Sequence, residues 1–279
     1  MKPLRCILPC LVLAFGFSTR AQDLQLPSGW FAKTFPASNP QPNDDLLCAN
    51  YSLDEWYLKI ESGKLRISLS LEEERPAFPP RFTLTEEMKG KPVVARASNG
   101  WLVGFDAGEL GGGLWWTSEN GREKKKLSNE NIHAIAPRGK ELLVLAGLAH
   151  GATDEGKVYS YQSATQQAGN LDQIADLSSA PGAALVEKDG SVLIATQTRI
   201  VALDGSNQLR VLFQNNDMSL LYPHSIAEDA AGNIFVGMRY FILRLRRNAG
   251  GEYTPQWYAH NRCVKTVIRD SRCVCAANE

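Results

Sequence analysis

The chain has 279 residues, 30 basic and 30 acidic side chains, and 44% hydrophobic content. It is long enough to bury a large core, and too apolar for disorder to be its main state. The even balance of charge lacks the basic surplus of a nucleic-acid binder, so no nucleic-acid partner is expected.

Lys2 and Arg5 precede an apolar run from Cys6 to Phe17, and Ser18-Thr19-Arg20-Ala21 closes it. This pattern is that of a secretory signal peptide, with cleavage expected after Ala21. The run is too short for a mature transmembrane helix. Removing Lys2, Arg5 and Arg20 leaves a slightly acidic chain, expected to be exported to the periplasm or secreted.

Cysteine usage agrees with export. Cys6 and Cys10 leave with the leader, and Cys48, Cys263, Cys273 and Cys275 remain. An even number of cysteines in an oxidising compartment points to disulfides. A bond between Cys273 and Cys275 would close a strained ring. The favoured pairing is therefore Cys48 with one of the three C-terminal cysteines, which would tie the chain ends together.

Residues 22–50 are rich in Pro, Asn, Ser and Asp and read as an irregular arm, with one short strand candidate at Trp30 to Phe35. From Tyr51 on, the pattern is strand, turn, strand. Trp56 to Glu61 and Lys64 to Leu71 flank Ser62-Gly63. A Pro-rich loop at Arg75 to Pro80 leads to Phe82 to Leu84. Further strands are expected at Val93 to Ala97, Trp101 to Phe105, Gly113 to Thr117 and Arg122 to Leu127. Lys124 to Lys126 read as a solvated, protected edge. The next group is Ile132 to Ala136, Glu141 to Leu148, Lys157 to Tyr161 and Gln173 to Leu177. Then come Ala183 to Glu187, Val192 to Thr196, Arg199 to Leu203 and Leu209 to Phe213. The clearest unit is Tyr222 to Arg247, three short strands around an Asp229-to-Asn233 turn, with Gln256 to Ala259 as a fourth. Lys265 to Arg269 and Cys273 to Ala276 end the chain. No segment sustains a helical period, so few helices are expected.

The turns carry a period. Gly63, Gly100, Gly139, Gly190 and Gly232 are 37, 39, 51 and 42 residues apart, and Ser271 follows 39 later. One four-stranded unit every ~40–45 residues is the spacing of β-propeller blades. The expected fold is an all-β propeller of six four-stranded blades, with five or seven as alternatives. It would occupy residues 51–279, with the 22–50 arm helping to close the ring. Trp30 to Phe35 would supply strands missing from the last unit.

Pro223-His224-Ser225-Ile226-Ala227-Glu228-Asp229 followed by Gly232-Asn233-Ile234-Phe235-Val236-Gly237 resembles the blades of NHL, gluconolactonase/regucalcin-like and two-component-regulator propellers. Leu185 to Ala195 resembles them too. The resemblance implies architecture rather than chemistry. It also implies that first strands line a central channel, with sites at its mouth.

Aligning the units on their turns stacks Pro92, His133, Gly182, His224 and Lys265, with Glu55 or Trp56 in the first. His133, His224, Lys265 and Glu55 are the candidate ligand-binding residues. Two histidines and a carboxylate would suit a divalent metal that activates water, and a His–Lys pair would suit an anion. The bland role is hydrogen bonding at strand starts. The regucalcin-like enzymes use a carboxylate- and amide-rich metal set at the channel mouth, of which this chain shows at most Glu55 at the stacked positions. Nucleophile-elbow, metalloprotease, phosphate-loop and dinucleotide motifs are absent. The expectation is a monomeric binding scaffold for a small molecule or protein, with no cofactor. A metal-assisted hydrolase or lyase is the alternative.

Overall fold

A computed structural model of the chain describes residues 24–35, 44–69, 76–165, 167–261 and 273. The leader, Cys263, Lys265, Cys275 and the strands expected after residue 262 lie outside the described residues. The elements in order are β1 (Trp30–Lys33), α1 (Asp44–Asn50), β2 (Trp56–Glu61), β3 (Lys64–Leu69), β4 (Lys91–Ala97), β5 (Gly100–Asp106), β6 (Gly112–Thr117) and β7 (Lys124–Ser128). They continue with β8 (Ile132–Arg138), β9 (Glu141–His150), β10 (Thr153–Gln162), β11 (Asn170–Asp176), β12 (Pro181–Val186), β13 (Val192–Thr196), β14 (Arg199–Leu203) and β15 (Leu209–Gln214). The last are β16 (Ser225–Glu228), β17 (Ile234–Gly237), β18 (Phe241–Arg247) and β19 (Tyr253–His260), with two single-turn 3-10 helices at Gly108–Leu110 and Asn216–Leu220.

These strands form antiparallel sheets that follow the sequence: β2-β3, β4-β5-β6-β7, β8-β9-β10-β11, β12-β13-β14-β15 and β16-β17-β18-β19. Burial grades across each sheet. The second strands read as continuous apolar runs because both faces are covered: β13 (VLIAT) and β17 (IFVG) are buried at every position. The fourth strands β7 (KKKLS) and β15 (LRVLFQ) are largely solvent-facing, and their sequences are correspondingly mixed. Apolar clusters fill the spaces between neighbouring sheets. Leu143, Leu145, Val158, Val192, Ile194 and Val201 join β8–β11 to β12–β15, and Leu193, Ala195, Ile234, Val236 and Leu243 belong to the cluster joining β12–β15 to β16–β19.

The turns repeat one device. Asp229 Oδ1 accepts from the Ala231 and Asn233 amides at 2.9 Å, and Asp204 Oδ1 accepts from Ser206 and Gln208 at 2.9 Å. Asp189 Oδ1 accepts from the Ser191 amide at 2.9 Å in the same way. Such carboxylate-to-backbone bonds pre-form a turn, and they hold the Gly190 and Gly232 turns that mark two of the units.

The N-terminal arm differs from its sequence reading. It contains a helix, α1, with Asp44 and Asp45 in its first turn and Leu46, Cys48 and Ala49 buried. The acidic first turn suits the helix N-terminus, and the apolar stripe docks on the cluster around Met218 and Phe241. β1 does join a late sheet, but its partner is β19, in register from Trp30↔His260 to Lys33↔Trp257. The hairpin β2-β3 sits against the same sheet: Ser225 Oγ bonds the Trp56 carbonyl at 3.0 Å and accepts from the Leu58 amide at 3.1 Å. Cys48 bonds Cys273, with Cα atoms 5.2 Å apart.

Phe82 to Leu84 is not a strand. Arg81 turns left-handed at φ 59°, and residues 76–90 lie as an irregular cover on the sheet β4–β7. Phe82 packs against the cluster of Met88, Val103, Phe105 and Trp115. The lysines of β7 hold this cover and are not simply solvated. Lys124 Nζ donates to Thr83 O at 2.6 Å, and Lys126 Nζ pairs with Glu87 at 2.7 Å.

Candidate functional site: the waist of a central cavity

The first strands β2, β4, β8, β12 and β16 all contribute residues to one cavity system. It has two chambers, of about 740 Å³ and about 920 Å³. Five residues line both: Lys91, Val93, His133, Gly182 and His224. They form a waist where the first strands begin.

Local irregularity puts them there. The β8–β9 register slips between Ile132 and Ala134, and the β12–β13 register slips between Pro181 and Ala183. His133 and Gly182 are therefore extra residues in β-bulges, which re-aim a side chain out of the strand's alternation. Gly182 is required by close approach: a Cβ there would lie 1.7 Å from the Pro223 carbonyl oxygen. β4 pairs with β5 without a slip, so ordinary alternation places Lys91 and Val93 together at the waist. Pro92, which turn alignment had stacked with the histidines, lines only the larger chamber.

His133 is held on both ring nitrogens. Nε2 lies 2.9 Å from the Gly147 carbonyl, to which it can only donate, and Nδ1 lies 3.2 Å from Asp106 Oδ2. Asp106 is itself positioned, its Oδ1 accepting from the Gly108 amide at 2.9 Å. Buried Asn131 ties the same loop, accepting from Ala107 N at 3.2 Å and donating to Gly108 O at 2.9 Å. His224 Nδ1 donates to the Tyr222 carbonyl at 2.7 Å, and its ring packs on Tyr57 with centroids 4.5 Å apart. Lys91 Nζ stands 5.9 Å over the same Tyr57 ring.

Glu55 lines the smaller chamber, but its carboxylate is engaged: Arg239 Nε donates to it at 3.0 Å. Arg239 also donates to the Asn50 carbonyl at 3.1 Å and stacks 3.9 Å over Tyr222. Trp56 does not reach the cavity lining; it is buried at 6% exposure beside Trp30 and His260. So His133, His224 and Glu55 share a chamber, Trp56 does not, and Lys265 lies outside the described residues. Sequence alignment missed Lys91 and Asp106. The alternation of Lys91 with Val93 was a usable signal, hidden because every unit was given one register.

A metal set does not assemble at the waist. Its five positions supply two imidazoles, one ammonium and no carboxylate or amide. Among the described residues no group of three or more His, Cys, Asp or Glu could hold an ion. The carboxylate-rich set implied by the gluconolactonase-like resemblance does not fit.

Two shifted titrations lie away from the waist. Burial pushes Glu228 up to about 8, reinforced by a hydrogen bond and charge repulsion from Glu187 on the neighbouring sheet. Burial, with a hydrogen bond to Glu130, pushes Tyr159 up to about 12.

No family model matches the chain, and no curated protein matches it in sequence. Several solved structures are similar to it over part of their length. A streptogramin B lyase structure is similar at 14% identity and a TM-score of 0.41, over 62% of this chain and 56% of that one. The extracellular domain of a putative hybrid two-component system from B. thetaiotaomicron is similar at 14% identity and a TM-score of 0.42, over 70% of this chain and 28% of that one. A gluconolactonase from Xanthomonas campestris is similar at 9% identity and a TM-score of 0.37, over 74% of this chain and 68% of that one. The chain thus spans about half of the lyase and about a quarter of the two-component ectodomain.

Proposed function

We propose that the chain is an exported β-propeller built on five first strands, which binds a small molecule at the waist of its central cavity and performs no chemistry on it. The observation that carries this reading is the state of the polar groups. The three cavity residues best suited to catalysis are already held: His133 by Gly147 and Asp106, His224 by Tyr222, and Glu55 by Arg239. Asp106 and His133 have the form of a base and its orienter, but His133 Nε2, the nitrogen a substrate would need, donates to a carbonyl. Such locked side chains present a fixed shape to a ligand. Export is supported by the Cys48–Cys273 bond, since disulfides persist in oxidising compartments. No described helix is long and apolar enough to cross a membrane.

The test is a melting-temperature screen of the purified mature chain against a chemically mixed small-molecule set, followed by mass spectrometry of every stabilising compound. The reading expects a stabilising compound that is recovered intact and whose effect is lost in His224→Ala. Recovery of a cleaved compound would support the hydrolase or lyase alternative. Shifts that persist in both His133→Ala and His224→Ala would move the site away from the waist.

A further inference from the structure

A separate groove, of about 570 Å³, lies at the opposite end of the sheets from the waist, between β4–β7 and β8–β11. β4 runs from Lys91 at the waist to Ala97, and the groove begins at the turn that follows, Ser98-Asn99. The turn after β6 and the loop after β10 supply its other walls. Its floor is Trp116, which is 4% exposed and belongs to the apolar cluster of Leu102, Ile132 and Tyr161 that joins the two sheets.

The walls are tied in place. Asn99 Nδ2 donates to the Ala164 carbonyl at 2.8 Å and to the Gln167 carbonyl, while Asn99 Oδ1 accepts from Trp116 Nε1 at 3.3 Å. The far end of the same loop is held by the Gly169 amide, which donates to buried Tyr161 Oη at 2.9 Å. In the opposite wall, Ser118 Oγ and the Arg122 amide both donate to Asn120 Oδ1 at 3.0 Å. These bonds orient the Asn120 side chain through its oxygen and leave its amide hydrogens to donate. Arg96 pairs with one oxygen of Glu119 and stacks 4.6 Å over Trp101, so the carboxylate is balanced and keeps its other oxygen to accept with. Ser98, Ser163 and Thr165 add three hydroxyls to the lining.

We propose that this groove is a second binding site, independent of the waist, and that its ligand is a neutral polyhydroxylated ring: a saccharide. A serine or threonine hydroxyl donates and accepts at once, so it is best matched by a group that does the same. The Asn120 amide adds donors, and the remaining Glu119 oxygen adds an acceptor. Trp116 offers carbon to the C–H face of a sugar ring. An apolar guest would strip water from these groups without replacing its hydrogen bonds. A volume of about 570 Å³ suits roughly one or two such rings. Walls fixed before binding lower its entropic cost.

The test is binding of the fluorescently labelled mature chain to a printed array of plant, bacterial and animal glycans, with the heat-unfolded chain as background. The expected result is saturable binding to glycans that share one sugar unit, competed by that glycan free in solution. Asn120→Ala, which removes the amide donors, should weaken it about fivefold to tenfold. Ser98→Trp, at an exposed position, should fill the groove and abolish binding. If that variant loses its fold by circular dichroism, Thr165→Trp replaces it. His224→Ala should leave glycan binding within about twofold, because the waist lies at the other end of the sheets. Binding no stronger than background, or binding unmoved by both Asn120→Ala and the filling variant, overturns the proposal. Binding lost in His224→Ala and kept in Asn120→Ala also overturns it, by moving the sugar to the waist. The compound screen above tests the waist separately, so either site can fail alone.

Discussion

The two flanks of the molecule are closed by different means. On one, the sheet β16–β19 carries β1 on its outer edge, α1 on its core and the hairpin β2-β3 at its side, and Cys48–Cys273 staples the arm to the C-terminal region. Its cluster holds Phe241, Trp257, Met238 and Leu243 at or below 5% exposure. On the other flank, the sheet β4–β7 is covered by the irregular residues 76–90, anchored by the small cluster of Met88, Val103, Phe105 and Trp115 and by two lysines. The same repeat thus gives one flank whose added elements join a large buried cluster and one whose cover rests on a small one. The lesson is that the cover is expected to open more readily than the arm, because local opening free energy follows buried apolar contact.

The widest gap between the flanks should be seen in core truncation. Phe241→Ala is expected to cost about 3–5 kcal/mol and Phe78→Ala about 1 kcal/mol or less, measured by urea unfolding. Equal costs would erase the distinction.

Loss of the staple comes next. Closing a loop 225 residues long removes much denatured-state entropy, so Cys48→Ala should cost about 2–5 kcal/mol. Urea unfolding reads this cost, and a loss below about 1 kcal/mol would mean that the staple adds nothing to the docking of the arm.

A smaller effect separates the flanks by pH. Glu228, at the β12–β15 and β16–β19 junction, faces Glu187, Asp229, Arg247 and Tyr253, and burial with the Glu187 repulsion raises it to about 8. The folded state therefore holds a proton that the unfolded chain releases in the ordinary carboxylate range. That contribution is full below about pH 4.5 and is lost as pH rises through about 8. Glu228→Gln should remove this alkaline loss, raising the melting temperature at pH 9 relative to pH 5.5 by about 2–4 °C compared with wild type. No such change is expected from Glu87→Gln on the other flank, where Glu87 is exposed and held below the usual carboxylate range by Lys126.

The strong flank was the more legible in the sequence. Gly232, Asp229 and the apolar runs Ile234–Gly237 and Phe241–Arg247 are local signals, and they mark the strands and turn found there. The Cys48 partner among the C-terminal cysteines became specific only with the fold. The weaker flank was misread because its order comes from tertiary contacts: Phe82 to Leu84 has strand-like composition but packs as a cover. On the strong flank α1 was missed for the same reason, being short enough that only docking of Leu46 and Ala49 makes it a helix. At the site, His133 and His224 were found through the repeat. Lys91 was not, because bulges at His133 and Gly182 shift two units by a residue and leave β4 unshifted.

Hydrogen exchange followed by mass spectrometry tests the contrast most directly. Amides of residues 76–90 should exchange far faster than those of 225–260. Equal protection of the two segments would contradict the contrast between the flanks.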